Sequence, residues 1–279
     1  MSSTRRTLLS AVLGLLLAAG PLALPPAGAQ VSGHIYGLTL ANNGGSPNTT
    51  VNVAAGSATD STNTYSIPLA SAFTKVIQAS GSWTAGTGNN GLDSGARAAS
   101  TWYHVYLIRK DSDGSGDVLF STSVSSPTLP SGYGTFRRIG SVRTDTFTNV
   151  LAFTQTDDEF IWSIAVLDMN AVAVGTTSTL YALTVPPGIK VLARVRVTND
   201  PPGSTTAQVT VRSPDESSSQ NSTYASGSGH QIHSVSGGPS MTEVLVRTNT
   251  SNQMAVISNA ASGNAVYART VGWFDSRGR

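Results

Sequence analysis

The feature that most constrains this chain is its punctuation. After residue 29 no helical period persists. Apolar and β-branched side chains instead come in short runs, each closed by a cluster of turn residues. The runs at 102–110, 118–123, 135–144, 150–155, 160–167, 180–185, 189–198, 207–212, 242–248, 253–258 and 264–274 read as strands. Shorter candidates lie at 51–53, 65–69 and 72–78. Between them stand Asn43-Gly44-Gly45, Asp113-Gly114, Pro130-Ser131-Gly132, Pro186-Pro187-Gly188, Pro201-Pro202-Gly203 and Gly237-Gly238-Pro239. Glycine supplies positive φ and proline fixes φ near −65°, so such clusters reverse a strand. Many short strands with this spacing predict an all-β protein. The expectation is two antiparallel β-sandwich modules, jelly-roll-like, behind an N-terminal hydrophobic leader.

The leader is MSSTRRTLLSAVLGLLLAAGPLALPPAGAQ. Arg5 and Arg6 precede an apolar stretch from Leu8 to Leu24, and Ala27-Gly28-Ala29 forms a cleavage-like site before Gln30. This is the pattern of a secretory signal, with a retained anchor or assembly helix as the alternative. Gly20-Pro21 interrupts the apolar stretch, which is short for a membrane span. The leader holds two of the 17 basic residues and no acidic one, so the remainder carries 15 of each sign and is neutral. No electrostatic footprint for nucleic acid follows. Cysteine is absent, which excludes disulfides, thiolate nucleophiles and cysteine-ligated zinc. Strand signal weakens over DMNAVAVGTTS (168–178), so a boundary is expected there, giving modules at 30–175 and 176–279. The Ser/Gly/Asn-rich stretch 213–240 is too long for a tight turn and reads as an exposed contact loop or a simple connection.

Candidate chemistry is sparse. DSDGSGD (111–117) places Asp111, Asp113 and Asp117 around Gly114 and suggests oxygen ligands for calcium. The spacing departs from the twelve-residue calcium loop, and the flanks alternate as strands, so a hairpin loop is the simpler reading. In TWYHVYLI, Trp102, His104, Tyr106 and Ile108 share one face while Tyr103, Val105 and Leu107 share the other. A strand apolar on both faces is buried on both sides or faces a partner chain. His230 and His233 are three apart, so a strand would point them to opposite faces. His34 stands alone, and His104 lies among aromatics as a core residue. Asp157-Asp158-Glu159 offers carboxylates of the type used in glycoside hydrolysis, but sits at an expected turn. No G-x-S-x-G elbow or phosphate-cradling loop is present. Arg137, Arg138 and Arg143 form a small basic group suited to an anion, to structural pairing with acids or to an inter-subunit salt bridge. Trp83 and Tyr133, in Gly/Ser-rich surroundings, are the candidate ligand-binding aromatics. No cofactor is expected.

Four segments carry a resemblance: the W-Y-H-V-Y strand, the segment SSPTLPSGY, the strand FRRIGSVR and the ending GWFDSRGR. With GLTLANNGGSPNTTVNVAAGSATDS, they resemble a family of bacteriophage- and prophage-encoded proteins described as tail-fibre-like or virion-associated. The resemblance covers nearly the whole chain after the leader. It implies a structural or adhesive role in a virion fibre or spike and carries over no catalytic residue. It also implies a homotrimer that binds other virion proteins or a host-surface glycan or protein. Export by the leader would instead make the chain a secreted carbohydrate-binding or adhesin module, and the acidic groups leave a secreted glycan hydrolase as a third reading.

Overall fold

The computed structural model describes residues 33–201, 206–216, 229–234, 238–260 and 264–278. The leader, and with it the cleavage expectation, lies outside them. Among the described residues there are strands and no helix, and every strand pairing is antiparallel.

The first nine strands are β1 (Ile35–Gly37), β2 (Leu40–Asn42), β3 (Thr50–Val53), β4 (Gly56–Thr59), β5 (Ser66–Leu69), β6 (Phe73–Val76), β7 (Trp102–Lys110), β8 (Gly116–Ser121) and β9 (Tyr133–Arg143). They form three small sheets, ordered β1-β4-β5, β2-β3-β6 and β8-β7-β9. The remaining strands are β10 (Phe153–Thr156), β11 (Glu159–Val174), β12 (Thr179–Ala182), β13 (Leu192–Asp200), β14 (Ala207–Arg212), β15 (His230–Ser234), β16 (Ser240–Arg247), β17 (Gln253–Ser258) and β18 (Asn264–Phe274). They form two larger sheets, β10-β11-β18-β13-β16 and β12-β17-β14-β15.

The order of these last strands is diagnostic. Counted from β11, one sheet runs first-eighth-third-sixth and the other second-seventh-fourth-fifth. That is the strand order of a jelly roll, two Greek keys folded into a double sheet, with β10 added at one edge. The two sheets face each other, β13 against β14 and β15, and β11 against β12 and β17. Alternation explains the packing. Val195, Val197, Val244 and Val246 point inward from one sheet and meet Val209, Val211 and Val256 from the other, all buried in one cluster.

Three elements differ from the sequence expectation. The run at 160–167 is a sixteen-residue strand, because β11 continues to Val174 through register shifts against β18. The weak signal over 168–174 is therefore a bulged strand rather than a linker. The division at 175 falls after β11, whereas β10 and β11 hydrogen-bond into the larger sheet of the jelly roll. Within the stretch 213–240, residues 230–234 form β15, while 217–228 and 235–237 lie outside the described residues.

The segment TWYHVYLI is the central strand of β8-β7-β9 and is covered on both sides by its own chain. Tyr103, Val105 and Leu107 join the main core. Tyr106 and Ile108 join a second cluster with Leu119, against which Trp83, Leu129, Tyr133 and Phe136 pack. No partner chain is needed to cover it. The first five residues of DSDGSGD form the hairpin loop between β7 and β8 and its last two, Gly116 and Asp117, begin β8, with Arg109 opposite Gly116 and Gly114 at φ 77°.

Candidate functional site

The three aspartates of the hairpin are held for three different tasks. Asp111 accepts the Gly134 amide at 2.8 Å and so ties the loop to β9. Asp113 closes the turn, accepting the Ser115 amide at 2.9 Å and the Ser115 hydroxyl at 2.6 Å; these bonds hold its carboxyl well below the usual range. Asp117 turns inward, 4% exposed, and meets the Lys75 ammonium at 3.0 Å. Among the described residues no group of three His, Cys, Asp or Glu side chains is placed to hold a metal ion.

Trp83 and Tyr133, expected as separate ligand-binding aromatics, are packed against each other edge to face, ring centroids 5.2 Å apart. The Trp83 indole N–H donates to the Val118 carbonyl at 3.0 Å. Lys75 places its ammonium 4.6 Å from the Trp83 ring centroid. Both rings are half-buried. Lys75 itself is fully buried, an expensive position for a cation. Burial lowers its pKa and the Asp117 carboxylate opposes that. Asp117 also accepts the Gly86 amide at 2.7 Å and the Val118 amide at 2.6 Å. This corner closes the second hydrophobic cluster with a cation, a carboxylate and two rings.

The histidines stay apart. His34 contacts the Ser57 hydroxyl at 3.3 Å, and His230 bonds the Leu245 carbonyl at 2.9 Å. His230 and His233 share β15 at odd spacing, which puts them on opposite faces. His104 is buried, with Nδ1 2.9 Å from the Ser141 hydroxyl. Burial and the nearby Arg138 push its pKa down to about 4, opposed by Asp275, so the ring is neutral at pH 7. A serine beside a histidine is the start of a nucleophile arrangement, but both residues are buried.

Two of the three arginines, Arg137 and Arg138, and the acidic turn belong to one junction. Arg138 grips Asp275 with two parallel bonds, at 2.7 and 2.6 Å. Burial by itself would raise the Asp275 pKa; Arg138 and Arg277 hold it below the ordinary value. Arg137 donates to the Arg277 carbonyl at 3.2 Å, and Arg277 reaches Asp158 at 3.1 Å and the Gly37 carbonyl at 3.2 Å. Glu159 pairs with Arg194 at 3.1 Å. The ending GWFDSRGR thus pins the last strand to the first nine. Asp157 occupies the tip of the turn at φ 51°.

A cleft of about 390 Å³ is lined by both parts of the chain. Trp102 and Arg143 enter it as direct partners across β7 and β9. Asp168 comes from β11, Thr184 and Leu183 from the segment after β12, and Asn252 from the turn before β17. Trp102 is half-buried and packs on Trp273, centroids 5.6 Å apart, and on Trp162 at 5.8 Å. Asp168 sits at a register shift between Leu167 and Met169, which turns its side chain inward. There it accepts the Thr184 hydroxyl at 2.6 Å and the Thr270 hydroxyl. Burial raises its pKa, and these bonds and Arg143 oppose that. Arg143 donates to the Thr184 hydroxyl at 3.1 Å, while its Nε is buried with no partner. Burial lowers the guanidinium pKa and Asp168 opposes that. An aromatic ring, one charge of each sign, a hydroxyl and an amide can together bind a small polar molecule.

Of the residues singled out in the sequence, Arg143 alone lines this cleft among the ligand and metal candidates and the arginine group. Asp168 carried a usable signal, a single carboxylate inside the apolar run IWSIAVLDMNAVAV. Thr184 and Asn252 carried none, because tertiary contacts alone bring them together.

By fold and site this is an all-β protein with a jelly-roll sandwich and a polar cleft where its two parts meet. No family model matches the chain, and no curated protein matches it significantly.

Proposed function

We propose that the chain is a non-enzymatic structural or adhesive component of a phage or prophage virion. In this reading it is a fibre or spike subunit that assembles as a homotrimer and binds a host-surface glycan or protein, or a neighbouring virion protein. The observation that carries the reading is the strand order of the jelly roll, an architecture used by viral capsid and lectin domains. This is an argument by fold analogy, since one architecture hosts many functions. The segments that resemble the phage family support it from a second side. They supply the central strand β7, the arginines of β9 and the buried tail residues Trp273, Asp275 and Arg277. A third support is the outer face of the edge strand β16, where Met241 is 70% and Leu245 45% exposed. Exposed apolar side chains on a rigid strand suit contact with another chain, and multivalent display raises avidity without stronger single sites.

A secreted carbohydrate-binding or adhesin module is the second reading, favoured by Trp102 in the cleft. The hydrolase reading, an acid pair among Asp111, Asp113, Asp157 and Glu159, gains no support from their placement: Asp111, Asp113 and Glu159 each serve a separate turn or ion pair, and Asp157 stands at the tip of its own turn. The test is native mass spectrometry with N-terminal sequencing, together with proteomics of purified particles. A trimer found in particles is the expected result. A monomer that begins at Gln30 and is absent from particles would overturn the virion reading in favour of the secreted module.

A further inference from the structure

The cleft at the junction has the make-up of a built site rather than a packing fault. Three irregularities interrupt β11 against β18, and two of them flank the stretch from Val166 to Asp168 that lines the cleft. Bulges of this kind re-aim side chains and gather beside binding sites. Ala171, on the same strand, holds φ 51°, a conformation that costs energy for a residue with a Cβ. Asn252, on the opposite wall, also has positive φ and donates to the Leu183 carbonyl at 2.5 Å.

We propose that this cleft binds a neutral saccharide, one hexose-type ring placed against Trp102 with its hydroxyls met by Arg143, Thr184 and Asn252. The proposal rests on the adhesive reading above and names the ligand class for it. Four observations lead to that class. The partly exposed Trp102 side chain lines the cleft and offers apolar surface to the C–H face of a sugar. Arg143 lines the cleft while its buried Nε has no partner, so a small shift of the guanidinium toward a ligand oxygen would satisfy a donor now left unpaired. Asp168 stands across the Thr184 hydroxyl that Arg143 also engages, so the lining carries one charge of each sign and suits a neutral ligand. The volume of about 390 Å³ suits a small molecule.

Saturation-transfer-difference NMR on the full chain, with neutral hexoses and N-acetylhexosamines as probes and glucuronic and sialic acid as charged comparisons, tests the idea. Transfer to at least one neutral sugar is expected. Arg143→Gln and Asn252→Gly should each reduce it at least about tenfold in affinity, the size of one or two lost hydrogen bonds. Asn252→Gly preserves the positive φ, and thermal melting confirms that each variant is folded. Tyr133→Phe should bind as the parent does. No transfer to any neutral sugar, selective binding of the charged sugars, or binding unchanged in both folded cleft variants would overturn the proposal. Trimers in particles without sugar binding would reject this inference alone; sugar binding by a monomer absent from particles would reject the virion reading alone.

Discussion

Lys75 and Asp117 show how little the identity of one residue says without its surroundings. In sequence Asp117 was the last member of an acidic loop, and Lys75 carried no signal. In the fold both are buried and 3.0 Å apart. Removing one partner of such a pair leaves an uncompensated charge, so Asp117→Ala should cost about 3–5 kcal/mol, read from the urea midpoint. Lys75→Met should cost less, because the Gly86 and Val118 amides still hold the carboxylate. Equal losses in the two variants would count against this account. His104 makes a second prediction. Its folded pKa of about 4 is depressed from 6.5, so the unfolded chain binds the proton first as pH falls. Its contribution is complete above about pH 6.5 and is lost as pH falls toward about 4, some 3 kcal/mol in all. Asp275, also depressed, adds to the loss below its ordinary value of 3.8, and Asp168, raised, acts in the opposite sense. Urea midpoints across this range should fall steeply in the parent and less steeply in His104→Gln.

At the scale of elements, β11 is the instructive strand. Its apolar start was legible as 160–167, but its second half was not, because three register shifts break the alternation that marks a strand. Pairing with β18 overrides the weak local preference. The partner strand makes room at Gly272, where an added Cβ would stand 2.0 Å from the Phe160 carbonyl oxygen. Gly272→Ala should therefore lower stability by about 3 kcal/mol, visible as a depressed melting temperature, since neither backbone can withdraw without unpairing. A near-parental melting temperature would show that the two strands have slack. The β7–β8 hairpin is the opposite case. Its strands, its turn and its two apolar faces could all be read from TWYHVYLIRKDSDGSGDVLF, because every determinant is local.

At the scale of the molecule, the parts are joined by charge as well as by core. Arg138 on β9 and Asp275 beyond β18 are far apart in sequence and bonded twice; the carboxylate is buried and the guanidinium largely so. Asp275→Ala should cost about 3–5 kcal/mol. It should also split one calorimetric transition into two, as the jelly roll and the first nine strands uncouple. A single transition at the parental temperature would mean that the shared core alone couples them. The candidate site belongs to this scale. Arg143 was noticed in the sequence as one of three arginines, but Trp102, Asp168, Thr184 and Asn252 become neighbours only when the two parts close on each other.

The class of fold was legible from local pattern alone. Turn residues and period-two alternation act over a few positions, and they were enough to specify strands, reversals and one strand apolar on both faces. Tertiary structure decided what those strands become. Strand order in the jelly roll, the continuation of β11, the burial of Lys75 against Asp117 and the assembly of the cleft all depend on pairings between residues far apart in the chain. Such pairings are selected by the free energy of burying a whole sheet face, which no local pattern records.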